Sequence, residues 1–346
     1  MNIDLLKRLT EAAGVPGREE RIRALVKAET ADLFDEWRED PMGNVIGVCK
    51  PGKPTKGGKR PRKVMLACHL DEIGFYVKHI DDRGFLRLQN VGGFDTRNLF
   101  SRRVLVQGRK DLTGILNPSG KPIHIATEEE RRKTYLVGEF YVDLFMPKKE
   151  VEKLVSVGDP VTLLQQTVEI GDVVTGKAMD NRVASFVALE ALRQVKGKSP
   201  HEIYYVGAAQ EEVGCRGAGP AAVGIEPDDG IAIDVTLACD TPGVSDDLSV
   251  TKMGKGAAIK VMDSGSISTH SLLEEFKALA KKHKIPHQLE ILPLGGTDAS
   301  SIQRSGQAKR VFTLSIPTRY IHTTTETVHK KDLKAAIDLL AAYLKG

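Results

Sequence analysis

The 346-residue sequence predicts an α/β fold interrupted by a smaller β-rich domain, and three observations lead there. Short apolar runs at residues 63–68, 203–209, 230–233 and 311–316 read as buried strands. Between His69 and Asp180 the pattern changes to short strands punctuated by glycine, with little helical periodicity. The length is also generous for one domain and suits two.

Taken in order, residues 1–9 lack the apolar core of a signal peptide and read as an amphipathic helix. Residues 51–63 are strongly basic but carry no aromatic residue for base stacking. With a net charge of only +4, they read as a solvated loop between two strands and not as a nucleic-acid site. The run at 63–68 delivers His69 and then Asp71. Residues 85–88, 104–106, 112–116 and 160–164 supply the short strands of an insertion bounded at 73–165, and the mixed-charge run 128–133 reads as an exposed loop within it. The remaining segments, 1–72 and 166–346, form the α/β domain. Ala178-Met179-Asp180-Asn181-Arg182 precedes a mostly apolar helical face at Val183, Phe186, Val187, Ala191 and Leu192, so Asp180 or Asn181 is expected to cap that helix. The run at 203–209 ends in Gln210-Glu211-Glu212-Val213-Gly214, with further glycines at 217 and 219 that suit close packing. The run at 230–233 leads to Asp234. The run at 311–316 is expected to stop at Pro317, which cannot continue a central strand, and the following loop presents Ile321-His322-Thr323.

In open α/β sheets, ligand sites lie beyond the carboxyl ends of the strands, so these polar groups can converge. A lone histidine after a strand reads as structural, and a lone Asp before a helix reads as its cap. Together, His69, His322, Asp180, Glu211, Glu212 and Asp234 match the ligand preferences of zinc and point to a metal site. Adjacent carboxylates at Glu211 and Glu212 can divide the work, one holding an ion and the other moving a proton.

His69-Leu70-Asp71-Glu72-Ile73-Gly74-Phe75, Ala178-Met179-Asp180-Asn181-Arg182, Gln210-Glu211-Glu212-Val213-Gly214-Cys215-Arg216-Gly217-Ala218, Asp234-Val235-Thr236, Asp240-Thr241-Pro242-Gly243, Gly295-Gly296-Thr297-Asp298-Ala299 and Ile321-His322-Thr323 resemble the signature blocks of the tetrahedral (TET) aminopeptidases. These are dinuclear metallo-exopeptidases that include glutamyl and deblocking types. The blocks follow the family order from residue 69 to 322. The resemblance implies a mixed-sheet, three-layer α/β/α zinc-exopeptidase domain, with an inserted β-rich dimerisation domain whose dimers build a tetrahedral dodecamer. It implies that Asp180 bridges two divalent ions, with His69 and Asp234 completing one shell and Glu212 and His322 the other. Glu211 would be the general base acting on a water held between the ions, and the Asp71 carboxylate would fix the His69 tautomer. Gly295, Gly296, Thr297 and Asp298 would lie at the substrate pocket. Asn181 and Cys215 depart from the residues common in the family, Asp and Leu respectively, and neither is an expected ligand.

Mixed imidazole and carboxylate ligands suit zinc or cobalt, with manganese also compatible. The expected reaction is hydrolysis of N-terminal residues from peptides. An insertion before the catalytic pair favours this over carboxypeptidase or deacylase relatives, in which the extra domain comes later. The alternative is a glycoside hydrolase, because some family members carry an endoglucanase label. A glycosidase needs two carboxyl groups and no metal, so the histidines argue against it. A non-catalytic binding or assembly protein would be expected to have lost Glu211 or a ligand, and none is lost. Cys49, Cys68, Cys215 and Cys239 form no metal or disulfide pattern and read as buried thiols in a reducing compartment. No apolar run approaches the ~20 residues of a membrane span, so a soluble cytoplasmic enzyme is expected. Pro286 breaks any helical pairing of His283 with His287, leaving both at the surface.

Overall fold

The computed structural model describes residues 1–346, the side chain of Lys56 excepted. The strands are β1 (Glu36–Glu39), β2 (Val45–Cys49), β3 (Lys63–His69), β4 (Gly74–Ile80), β5 (Leu86–Val91), β6 (Arg102–Gln107), β7 (Asp111–Pro118), β8 (Phe140–Asp143), β9 (Pro160–Leu163), β10 (Val168–Ile170), β11 (Val173–Gly176), β12 (Glu202–Ala208), β13 (Asp229–Leu237), β14 (Ala257–Met262), β15 (His287–Ile291), β16 (Arg310–Arg319) and β17 (Glu326–His329). The helices are α1 (Ile3–Glu11), α2 (Glu20–Glu29), α3 (Glu128–Arg132), α4 (Lys148–Leu154), α5 (Met179–Val195), α6 (Ala218–Ile225), α7 (His270–Lys282), α8 (Ala299–Gln303) and α9 (Lys330–Leu344).

One mixed sheet runs β1-β2-β12-β3-β13-β16-β17-β11-β10, and β14 joins it through β16 with β15 on its far side. Its centre, β12-β3-β13-β16, is parallel. Those strands are buried on both faces, which explains why their sequences are continuous apolar runs without alternation. Helices α1, α5, α7 and α9 pack on one face around Leu6, Phe186, Leu189, Phe276 and Leu340. On the other face, α6 and α8 close over Met65, Val206, Ala232 and Val311. This is the expected three-layer architecture. Phe276 of α7 stacks on Phe312 of β16 with ring centroids 4.1 Å apart, joining a helix layer to the sheet centre. The insertion is a closed antiparallel barrel in the order β4-β5-β8-β7-β6-β9, with its own core around Phe75, Leu88, Val104, Phe140 and Val161.

Three local expectations need correction. β16 does not stop at Pro317 but runs on to Arg319. On the side away from β13, β14 pairs only as far as Ser315 and β17 begins at Thr318, so Pro317 falls between two partners where its missing N–H goes unasked for. Residues 128–132 are a helix and not a loop. Thr127 accepts from the Glu130 N–H while the Glu130 side chain accepts from the Thr127 N–H, a reciprocal cap that nucleates the turn. Neither Asp180 nor Asn181 caps α5 with its side chain: both have non-helical backbone angles, and Asn181 Nδ2 donates to the Ile233 carbonyl of β13. In the basic segment, residues 51–54 and 57–60 are exposed between β2 and β3, as expected, and His283 and His287 lie at the surface. Of the four cysteines only Cys68 is fully buried; the other three are half-buried.

Candidate metal centre

Parallel register brings the first groups level. Ala208 of β12 lies opposite His69 of β3. β13 pairs with β3 from Asp229 opposite Val64 to Ala232 opposite Ala67, and that register carried forward puts Asp234 beside His69. Just beyond β12, Gln210 adopts a left-handed backbone (φ 58°) that turns the chain and aims Glu211 and Glu212 back over the strand ends. This turn is held tightly. Asn44 Oδ1 accepts from the Ala209 N–H and its Nδ2 donates to the Gly217 carbonyl, both at 2.9 Å. A Cβ at Gly217 would come within 2.4 Å of the Ala209 oxygen, so this position admits only glycine. From the other side, Gly176 of β11 pairs with Glu326 of β17, which places Asp180 and the β16–β17 loop carrying His322 next to one another.

The side chains converge as two triads that share one residue. His69 Nε2 lies 3.1 Å from Asp180 Oδ1 and 3.8 Å from Asp234 Oδ1. His322 Nε2 lies 3.3 Å from both Asp180 Oδ2 and Glu212 Oε2. Each triad, His69–Asp180–Asp234 and Asp180–Glu212–His322, offers ligand atoms within 4.8 Å of one another. Asp180 therefore turns one oxygen to each. Glu211 belongs to neither triad, and its Oε2 lies 3.7 Å from His69 Nε2, at the edge of the pair.

This donor set fits divalent ions. Glu212 Oε1 is buried with no hydrogen-bond partner, a costly state for a carboxylate oxygen unless a cation faces it. Burial pushes the Glu212 and Asp234 carboxyls up, with Asp180 adding to both, and pushes Glu211 up to about 8. Burial works to lower His322, but hydrogen bonds to Asp180 and Glu212 prevail and hold it up at about 11. Burial works to raise Asp180, but hydrogen bonds to His322 and His69 prevail and hold it low, so the carboxylate shared by both triads is ionised between imidazoles whose protons a cation could replace.

The carboxylate of Asp71 has a different job from the expected one. His69 Nδ1 lies 3.1 Å from the main-chain oxygen of Asp71, whereas the nearer carboxylate oxygen is at 3.7 Å. The tautomer is fixed by backbone, because the carboxylate is taken: Oδ1 accepts from the Glu211 N–H and Oδ2 from the Glu212 N–H, both at 3.0 Å. Sequence reasoning missed a counterpart, Glu326. Its Oε2 accepts from the Asp180 N–H at 2.9 Å and its Oε1 from the His322 N–H at 2.7 Å. It also missed Gly92 and Gly93, where the barrel's β5 loop comes close enough that a Cβ at Gly92 would sit 3.3 Å from Glu212 Oε2. The Gly-Gly pair itself was the available signal.

A cavity of about 450 Å³ opens over the two triads and is lined also by Cys215, Val235, Leu237, Leu292, Gly295, Gly296 and Ile321. Gly295 and Gly296 thus reach it. Thr297 and Asp298 do not: both are buried behind it, because the chain has already turned inward to start α8.

Comparison with known proteins gives consistent matches over nearly the whole chain. A family model described as M42 glutamyl aminopeptidase matches residues 43–339. A putative aminopeptidase of Acetivibrio thermocellus is 39% identical over 338 residues, covering 97% of this chain and 96% of the relative. Among solved structures, aminopeptidase APDkam598 from the archaeon Desulfurococcus kamchatkensis is 38% identical with a TM-score of 0.92, over 99% of this chain and 94% of that one. The Pyrococcus horikoshii TET1 peptidase, described as able to assemble into a tetrahedron or a large octahedral shell, is 28% identical with a TM-score of 0.86, over 99% and 98% of the two chains.

Proposed function

This chain belongs to the M42 glutamyl aminopeptidase family, and from that premise we propose that it releases N-terminal residues from peptides with two divalent ions and Glu211 as proton carrier. One observation carries the reading: Asp180 presents separate oxygens to two triads, each with one histidine and one further carboxylate. His69, Asp180 and Asp234 would hold one ion, and Asp180, Glu212 and His322 the other. Zinc and cobalt suit this mixture of imidazole and carboxylate, and manganese is compatible. When bound, such ions acidify a water and polarise the scissile carbonyl.

The chain's own groups do the rest. Glu211 is unclaimed by either triad yet borders both, so its carboxylate takes the proton of the attacking water and returns it to the nitrogen of the leaving amine. Asp71 holds Glu211 and Glu212 by their main-chain N–H groups, keeping base and ligand in fixed relation. Gly295 and Gly296 border the substrate cavity and Thr297 and Asp298 support it from behind. We assign residues 1–72 and 166–346 to the catalytic domain and 73–165 to the insertion. The barrel leaves Ile123, Ile125, Leu136 and Phe145 exposed, which supports a role in self-association toward a TET-like assembly. Among the described residues, no helix is long and apolar enough to cross a membrane.

The test uses aminoacyl-p-nitroanilides and a soluble cellulose, each with and without chelator. Peptidase-type cleavage that chelator abolishes and added zinc, cobalt or manganese restores is expected. Chelator-resistant hydrolysis of cellulose without release of nitroaniline would overturn the reading in favour of a glycosidase.

A further inference from the structure

The cavity over the triads has two chemically distinct halves. Its charged lining, His69, Asp180, Glu211, Glu212, Asp234 and His322, belongs entirely to the candidate metal centre. The other half is aliphatic: Val235 and Leu237 from the end of β13, Leu292 and Leu294 from the loop after β15, and Ile321 beside His322. Leu237 is 41% exposed and Leu294 is 82% exposed. Single exposed leucines are ordinary on a protein surface, but a contiguous aliphatic wall at the mouth of a polar site is the kind of patch that marks a binding site.

Three charged groups, Lys260, Glu290 and Asp263, are buried near this wall, and none of them lines the cavity. Lys260 Nζ lies 3.1 Å from Glu290 and 3.6 Å from Asp263. Thr236, which also lines the cavity, donates its hydroxyl to Glu290. Lys260 is thus held between two carboxylates, and Asp263 also accepts from the Gly265 and Ser266 N–H groups, so the charge of Lys260 is already claimed inside the fold. A glutamyl or lysyl side chain entering this half would give up water without meeting a counter-charge. An aliphatic one would leave water for a wall of like character.

We infer that this half of the cavity receives the side chain of the substrate's N-terminal residue, and that the enzyme selects peptides beginning with apolar residues of leucine or methionine type. The inference rests on the aminopeptidase reading above and narrows its substrate class. It sets this chain apart from the glutamyl activity in the family's description.

The test measures kcat/KM of the metal-loaded full chain on leucyl-, methionyl-, glutamyl- and lysyl-p-nitroanilide. Leucyl and methionyl substrates should exceed the charged ones by at least about tenfold, the scale on which a pocket discriminates by a few buried groups. A glutamyl or lysyl substrate turned over as fast or faster overturns the inference and leaves the aminopeptidase reading standing. Failure of the metal-loaded chain to cleave any of the four overturns both. The second arm is Leu294→Lys, at a site exposed enough that the melting temperature should not change. It should raise the glutamyl-to-leucyl ratio by up to about fivefold, the effect of one exposed charge pair. An unchanged ratio in a folded variant means that the side chain binds elsewhere and overturns the assignment.

Discussion

Glu326 is tied to Asp180 through the main chain: the Asp180 N–H donates to Glu326 Oε2 at 2.9 Å, while Oε1 of the same carboxylate accepts from the His322 N–H at 2.7 Å. One buried carboxylate thereby sets the spacing between the shared residue of the two triads and the histidine of the second. Glu326→Gln keeps the volume but turns an NH₂ toward one of those N–H donors, so at least one hydrogen bond becomes a repulsive contact costing about 1–3 kcal/mol. Affinity for the ions should fall by roughly 10–100-fold, the range seen when groups supporting metal ligands are altered. Metal titration with a competing chelator measures this, and an unchanged affinity alongside a lowered melting temperature would reduce Glu326 to a structural residue.

Glu211 stands outside both triads, and in the proposed reaction its carboxylate serves only proton transfer. Glu211→Gln should lower kcat by about 10²–10⁴-fold. Metal content by elemental analysis should stay at the wild-type level, because the proposed ligand atoms of His69, Asp180, Glu212, Asp234 and His322 are untouched. Near-normal turnover in a fully loaded variant would show that another group carries the proton.

What could be read from the sequence follows from which interactions are local. His69, Asp234 and Glu211-Glu212 stand at or near the ends of apolar runs that the parallel sheet buries on both faces, so pattern alone located them. The barrel was legible because its strands are short and broken by glycine. Glu326 was invisible for the opposite reason. It sits in an ordinary Thr-Glu-Thr-Val run, and its partners at Asp180 and His322 become evident only once β17 is paired with β11. The Asp71 carboxylate was misassigned because proximity in sequence to His69 competes with a long-range demand from two backbone donors at 211 and 212. Pro317 misled because the rule against proline in a central strand assumes a partner at every position, and one side of β16 has a gap there.

Cys215 donates its thiol to Glu211 Oε1 at 3.1 Å. Burial, and then the neighbouring Glu211 carboxylate, push this thiol far above the usual range, so it stays protonated at neutral pH. Its alkylation by iodoacetamide should be at least about tenfold slower than that of an unperturbed thiol, read site by site by mass spectrometry. Cys215→Leu removes a donor worth about 1 kcal/mol and should change kcat by no more than roughly tenfold with metal content intact. Rapid modification of Cys215 in the native protein would mean that it is a thiolate and does not donate to Glu211.

Loading the centre must displace protons. Burial tends to lower the His322 imidazole, but hydrogen bonds to Asp180 and Glu212 hold it up at about 11, so it is protonated at neutral pH before an ion arrives. A histidine binds a cation only through a neutral nitrogen. Burial also keeps the Glu212 and Asp234 carboxyls raised, so they add to the protons that must leave. Calorimetric titration of the metal-free protein with zinc, repeated in buffers of different ionisation enthalpy, should therefore show net proton release, and affinity should rise with pH. The sign for stability is opposite. Because the folded pKa of His322 lies above its ordinary value of 6.5, the stabilisation from its pairing is fully present below about pH 6.5 and is lost as pH rises through about 11. The metal-free protein should accordingly melt at progressively lower temperature across the alkaline range, whereas the loaded protein, with His322 neutral throughout, should lack this contribution. Zinc uptake without proton release would mean that His322 is already neutral in the metal-free state, and the electrostatic account of the centre would fail with it.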